Sequence, residues 1–64
     1  MCLSTVYLNE KKEDLIAARY VAMVRVKGEK ICLTDVIGAE TEIIGTLDSI
    51  DLEGGTVIIR TDVA

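Results

Sequence analysis

The hydrophobic and polar positions of the chain alternate over several short stretches, which is typical of β-strands whose two faces differ. The first stretch, residues 2–8, is rich in β-branched residues and closes at Asn9. A charged segment over residues 10–14 follows without an apolar period, and we expect a solvated loop or a single helical turn there. The alternation returns at Tyr20, so the pattern predicts a second strand over residues 20–27.

Glycines mark the ends of the predicted strands. Gly28 occupies the first central position that a type II′ hairpin requires, and it separates the second strand from a third over residues 30–36 that ends at Gly38. In the third strand, Ile31 and Leu33 share one face, and Cys32 and Thr34 share the other. The Gly-Gly pair at residues 54–55 predicts a two-residue hairpin before a last strand over residues 56–61.

Residues 40–52 are predicted to form one long strand that cannot be straight. Its apolar positions are Ile43 and Leu47 before residue 48, and Ile50 and Leu52 after it. A change of phase inside one strand implies a bulge or a sharp bend, and Gly45 suits a close backbone approach at such a bend. Five to six short strands without room for crossover helices predict an all-β domain, built as a small antiparallel barrel or curled sheet.

The composition supports the all-β prediction and limits the size of the core. Val, Ile and Thr supply 21 of the 64 residues, and their stiff side chains favour strands over helices. A domain of this length buries only about 60% of the surface that its unfolded chain exposes. We therefore predict one domain over residues 1–64, with a second copy supplying further burial in a homodimer.

Apolar residues on the outward phase of the predicted strands also favour a homodimer. The same pattern is compatible with scattered exposed apolar side chains, which are normal on soluble proteins. A two-fold interface is the other interpretation. The residues concerned are Val21, Met23, Cys32, Ile44 and Ile58.

The charge of the chain argues against polyanionic partners. Seven Lys and Arg face eleven Asp and Glu, which gives a net charge of −4, and Tyr7 and Tyr20 are the only aromatic residues. Nucleic-acid surfaces need clustered cations and stacking platforms, so we expect no nucleic acid as a partner. The apolar runs are far shorter than a membrane span of about 20 residues, and the first residues do not resemble a signal peptide. We expect a cytoplasmic protein with reduced cysteines and no membrane partner.

The sequence contains no histidine, which removes most catalytic and metal-binding systems. Ser-His-Asp and Cys-His nucleophiles, His-based zinc sites and the usual general base near neutral pH are all excluded. Carboxylates cluster near Gly38 and near the predicted bend, but acids on solvent-exposed faces are common in an acidic protein. We therefore expect that the protein is not an enzyme.

Cys2 is the candidate metal ligand that the residues themselves suggest. If Met1 is removed, the amine and the thiol of Cys2 can close a five-membered chelate ring, with ordinary pKa values of about 7.7–8.0 and about 8.5. Nitrogen and sulfur donors in a square-planar arrangement are typical of Ni(II) or Cu(II). Burial of Cys2 in a strand is the alternative, and Cys32 is either a small buried residue or a second sulfur ligand.

Three segments of the chain together resemble the CooT family. They are residues 1–8, with the Met-Cys start, residues 30–38 and residues 44–52. CooT proteins are small nickel-binding accessory proteins of carbon monoxide dehydrogenase maturation. The resemblance implies an Sm-like or SH3-like β-barrel and a homodimer.

The resemblance also implies a function and a site. Nickel (Ni²⁺) would be bound through Cys2, by thiolate, amine and backbone nitrogen, for delivery to carbon monoxide dehydrogenase or another nickel enzyme. It does not extend the ligand set to Cys32. The alternative that the Sm-like shape suggests is an RNA-binding module, which the net charge of −4 disfavours.

Overall fold

The computed structural model describes residues 3–62, and these form an all-β domain, as predicted. A short 3₁₀ helix, Glu13–Leu15, occupies the charged segment where a loop or a single helical turn was expected. The six strands are β1 Ser4–Leu8, β2 Ile16–Lys27, β3 Lys30–Asp35, β4 Glu40–Ile44, β5 Thr46–Asp51 and β6 Thr56–Arg60.

The strands form one mixed sheet in the order β4-β3-β2-β1-β6-β5. β1 pairs antiparallel with β2 but parallel with β6, where Val6 lies opposite Val57. The prediction of a purely antiparallel sheet is therefore wrong at this pair. Hairpins force neighbouring strands to be antiparallel, whereas β1 and β6 come from opposite ends of the chain and no hairpin joins them.

The sheet is also not closed into a barrel. β4 and β5 are consecutive in the sequence, yet they lie at the two opposite edges of the sheet, and no ladder joins them among the described residues. They are two halves of one bent strand that run away from a shared corner, so they cannot pair with each other. The sheet is nevertheless strongly curled, because β5 also contacts β3.

Gly45 forms the corner between β4 and β5, as the sequence predicts. A Cβ atom at this position would lie 2.5 Å from the carbonyl oxygen of Arg60 and 3.1 Å from Cγ2 of Ile59. The N–H of Gly45 donates to the carbonyl of Glu29 over 2.8 Å, which fixes the corner. The predicted change of phase is present as well, as a register shift between Leu47 and Ser49.

The core lies on the inner face of the curled sheet. Ile31 and Leu33 are both buried, which confirms their predicted shared face. Val21 is buried too, with 3% of its surface exposed, so its assignment to the outward face is wrong. The full set of buried hydrophobic residues is Val6, Val21, Ile31, Leu33, Val57 and Ile59.

A bulge in β2 explains the error at Val21. Tyr20 has a φ angle of 56°, in the left-handed region, and the pairing of β2 with β3 shifts between Val21 and Met23. One extra residue in a strand reverses which face the following side chains occupy. β2 also begins at Ile16 rather than at Tyr20. Because the bulge interrupts the alternation, the pattern after it does not extend back to the first residues of the strand.

The two predicted hairpins differ in outcome. Lys27 pairs with Lys30, and Gly28 has a φ of 58°, so the two-residue hairpin between β2 and β3 is confirmed. Between β5 and β6 the last pair is Asp51 with Thr56, which leaves a four-residue loop instead of a two-residue one. The Asp51 carboxylate stabilises this loop by accepting the N–H groups of residues 53 and 54, over 3.1 and 2.9 Å.

Candidate metal centre and its surroundings

The segment that follows Cys2 is held at the centre of the sheet. Cys2 itself lies outside the described residues. Leu3 is half-buried, and β1 begins at the next residue with β2 on one side and β6 on the other. The N–H of Thr5 donates to the carbonyl of Gly55 over 2.9 Å. Ligands at Cys2 are therefore attached, through Leu3, to a strand that is supported on both edges.

Gly55 allows the backbone at Leu3 to approach the loop between β5 and β6. Its φ angle is 68°, and a Cβ atom there would lie 3.2 Å from the carbonyl oxygen of Leu3. A side chain at this position would be strained and would crowd Leu3. The sequence marks Gly55 only as a turn residue, and its contact with the start of the chain emerges from the fold.

An apolar groove opens beside the first residues of β1. It has a volume of about 250 Å³, and Ser4 lies on its wall. Buried Val21 and Val57 also line it. The large side chains on its rim are Met23, Ile50 and Leu52, which are 49%, 52% and 83% exposed.

This groove also changes the interpretation of β5. Ile50 and Leu52 hold the apolar phase after residue 48, but they are exposed rather than part of the core. Among the outward apolar positions that the sequence suggested, Met23 and Ile44 are exposed, whereas Cys32 and Ile58 are half-buried. Of these four residues Met23 alone lines the groove, together with the fifth, Val21, which is buried.

Cys32 is a free, half-buried thiol on the outer face of β3. It lies between Arg25 on β2 and Glu42 on β4 in the cross-strand register. The Nη2 atom of Arg25 is 3.8 Å from the Cys32 sulfur and 3.4 Å from a carboxylate oxygen of Glu40. Cys32 is thus in contact with a cation, and not inside the core. Within residues 3–62, no three His, Cys, Asp or Glu side chains form a group that could hold a metal.

Several of the clustered carboxylates near Gly38 and the bend have structural partners. Asp35 accepts the N–H groups of Ile37 and Ala39 over 3.0 and 2.9 Å, and it thereby shapes the loop between β3 and β4. Asp51 acts in the same way in the loop between β5 and β6. Asp48 pairs with Arg60 at 3.5 Å in an exposed ion pair.

A comparison with models of known protein families identifies the family of the chain. A family model described as CO dehydrogenase accessory protein CooT matches residues 1–60. The chain belongs to the CooT family. The matched range includes Cys2 and covers nearly the whole sequence, which confirms the resemblance seen in its three segments. A search among curated proteins finds no match.

Membership of the CooT family implies an accessory role for CO dehydrogenase. Accessory proteins assist an enzyme and are not themselves the catalyst, which agrees with the expectation from the missing histidine. The described part of this CooT chain contains no helix that is long and apolar enough to cross a bilayer.

The RNA-binding alternative gains no support from the CooT match or from the surface. Tyr7 is half-buried on β1, and Tyr20 is exposed on the bulge of β2, so the two rings belong to different strands. The cations of the outer face, such as Arg25, lie next to carboxylates. Stacking platforms and clustered unpaired cations are what single-stranded RNA requires.

Proposed function

We propose that this CooT protein binds Ni²⁺ through Cys2 as a homodimer and supplies the metal to carbon monoxide dehydrogenase or another nickel enzyme. The family match that includes Cys2 carries this proposal. Nickel is the cargo of such a protein. The described residues support a carrier in one respect: the strand that follows Cys2 is paired on both edges and gives the ligand a fixed point of attachment.

The ligand chemistry follows from the position of Cys2. The thiolate sulfur, the α-amine and backbone nitrogen are strong donors for Ni(II) in a square-planar arrangement. The α-amine is available only after Met1 has been removed. A second copy of the chain would double the number of thiolate donors at one metal ion.

The groove beside Ser4 is the surface that we assign to the homodimer. Its rim exposes Met23, Ile50 and Leu52, and Ser4 lies on its wall. A two-fold interface uses the same patch on both copies. Because Ser4 is two residues from Cys2, an interface on this groove brings the two Cys2 residues towards the same axis. The small core is a second reason for a dimer.

A nickel titration of three proteins tests the ligand assignment. Thiolate-to-nickel charge-transfer absorbance should be present in the parent and in Cys32→Ser, and should be lost in Cys2→Ser. Cys32→Ser is a matched control because it removes the chain's other thiol. Loss of nickel binding in Cys32→Ser, or tight binding by Cys2→Ser, would contradict the proposal.

Mass spectrometry of the purified protein tests the amine ligand. The expected mass is that of a chain without Met1, with Cys2 as the first residue. A chain that retains Met1 and still binds nickel with unchanged affinity would exclude the amine–thiolate chelate.

A further inference from the structure

β4 is an edge strand with a regular and unpaired side. Within residues 3–62, only β3 pairs with it, and the register runs without a shift through all five of its residues. Backbone hydrogen bonds define the two ends of this ladder. At one end the N–H of Asp35 donates to Ala39 over 2.9 Å, and at the other the N–H of Gly45 donates to Glu29 over 2.8 Å.

These two bonds determine which backbone groups of β4 are unpaired. In an antiparallel ladder, alternate residues direct their N–H and C=O groups to the partner strand and the others direct them away. Glu40, Glu42 and Ile44 therefore direct these groups away from β3. The carbonyl of Ile44 accepts the hydroxyl of Thr61 over 2.8 Å from that side. No described residue bonds to the backbone of Glu40 or Glu42 there.

The charged residues of β4 itself, Glu40 and Glu42, are both acidic. They share a surface cavity with Arg25, Lys27 and Lys30, but these cations lie on β2 and β3, one or two strands further from the open edge. Residues 36–59 contain five carboxylates and no Lys or Arg. Glu40 pairs with Arg25 at 3.4 Å in an exposed ion pair, whereas Glu42 makes no ion pair with a described residue. Ile44 adds a half-exposed apolar side chain on the same face. The edge therefore combines free backbone groups, an unpaired carboxylate and an apolar contact.

The same features select the kind of strand that could pair with β4. Edge strands of many proteins carry lysine, which prevents pairing with other edges. Carboxylates repel another acidic edge but attract a basic strand. β5, the opposite edge, is a poorer template, because its register shift between Leu47 and Ser49 distorts the ladder. Neither Glu40 nor Glu42 lines the groove that we assign to the homodimer.

We propose that the free edge of β4 binds an extended segment of a partner protein in which Lys or Arg alternates with apolar residues. The segment adds a strand to the sheet, and its backbone pairs with the N–H and C=O groups of Glu40 and Glu42. A basic side chain opposite Glu42 neutralises this carboxylate, and an apolar side chain covers Ile44. This interaction does not depend on nickel at Cys2.

A short synthetic peptide of alternating valine and lysine, with blocked ends, is the probe. We expect it to slow hydrogen exchange at the amides of Glu40 and Glu42, while the amides of Thr41 and Ile43, which face β3, stay unchanged. Glu42→Gln should weaken binding about two- to fivefold, as expected for one cross-strand charge pair. Glu53→Gln, which removes a carboxylate from the loop before β6, and Cys2→Ser should leave the affinity unchanged.

Three results would overturn the proposal. Equal binding by a peptide of the same charge with a central proline would show attraction without strand addition. Equal binding by a valine–glutamate peptide would exclude charge recognition. Protection of Glu40 and Glu42 that rises with protein concentration, without peptide, would assign the edge to a second copy of the chain.

Discussion

At the scale of single residues, Gly45 shows how one position directs the fold. The chain passes from one edge of the sheet to the other at this residue, and the carbonyl of Arg60 occupies the space of a side chain. Its N–H and the neighbouring carbonyl of Ile44 are both bonded, to Glu29 and to Thr61. A methyl group at Gly45 therefore has to displace backbone that is held in place.

Gly45→Ala should lower the free energy of unfolding by about 1–3 kcal/mol, the usual cost of forcing an extra carbon into a packed site. Urea denaturation of the variant against the parent measures this. Thr46→Ala, at the exposed neighbouring position, is the control and should change stability by less than about 0.5 kcal/mol. Equal midpoints for the parent and Gly45→Ala would refute the assigned role of the corner.

Cys2 is the residue on which the proposed nickel chemistry depends. Its thiol and its amine must both lose a proton before they bind the metal. Their ordinary pKa values, about 8.5 and about 7.7–8.0, lie above neutral pH, so protons compete more strongly as the pH falls.

Nickel affinity should consequently fall by roughly tenfold per pH unit below neutral for each proton released. Isothermal titration calorimetry at several pH values checks this. The apparent affinity of Cys32→Ser should follow the same curve as that of the parent. An affinity that is independent of pH would rule out this pair of ligands.

At the scale of elements, the bulge that follows Tyr20 decides which side of β2 faces the core. The register of β2 with β3 shifts between Val21 and Met23, so Ala22 is the extra residue, and the alternation read back from Val24 therefore misses that Val21 faces the core. Tyr20, two residues before Ala22, has a left-handed backbone with a φ of 56°. The carbonyl of Tyr20 accepts the N–H of Val36 over 2.9 Å, which connects the bulge to the loop after β3. The tyrosine side chain itself is 64% exposed, so packing does not explain its strained backbone.

Tyr20→Gly should be more stable than Tyr20→Ala by about 1 kcal/mol, because glycine adopts the left-handed region without a Cβ penalty. Both variants lose the same aromatic ring, so the difference between their free energies of unfolding measures the effect of the backbone conformation at residue 20. Val26→Gly and Val26→Ala, at a half-exposed position in a regular part of β2, should show the opposite order. Urea midpoints of the four variants measure both differences, and the same order at both positions would contradict this account of the bulge.

At the scale of the whole molecule, the small core leaves an apolar groove on the surface. Six hydrophobic residues are buried in the described part of the chain, while Met23, Ile50 and Leu52 remain exposed around the groove. A second copy that covers this groove would add the burial that a short chain lacks. Stability would then depend on protein concentration, because association stabilises only the folded state.

Met23→Glu and Leu52→Glu should each weaken self-association about tenfold or more, since each would place a charge against the apolar surface of the second copy. Sedimentation equilibrium measures the change, and circular dichroism verifies that the variants are folded. Ile37→Glu, at an exposed position outside the groove, is the matched control and should associate as the parent does. A parent that is monomeric at all concentrations, or a Met23→Glu variant that remains fully dimeric, would exclude this interface.

The sequence by itself determined the features that arise from neighbouring residues. Alternation identified the strands, Gly28 identified a hairpin, and Gly45 with the phase change at residue 48 identified the bend. The shared face of Ile31 and Leu33 follows from the same period of two. The relationship to the CooT family was also recognisable, because Cys2 and the segments around it are contiguous motifs.

The tertiary structure decided what depends on residues that are distant in the chain. The parallel pairing of β1 with β6 and the groove between Ser4 and Leu52 join opposite ends of the sequence. The two open edges, β4 and β5, are consecutive in the chain, but their positions follow from the more distant strands with which they pair. The burial of Val21 depends on the bulge between Val21 and Met23, which a pattern of apolar positions does not reveal. Local periodicity is determined by the geometry of the backbone at neighbouring residues, whereas strand partners are selected by packing over the whole chain.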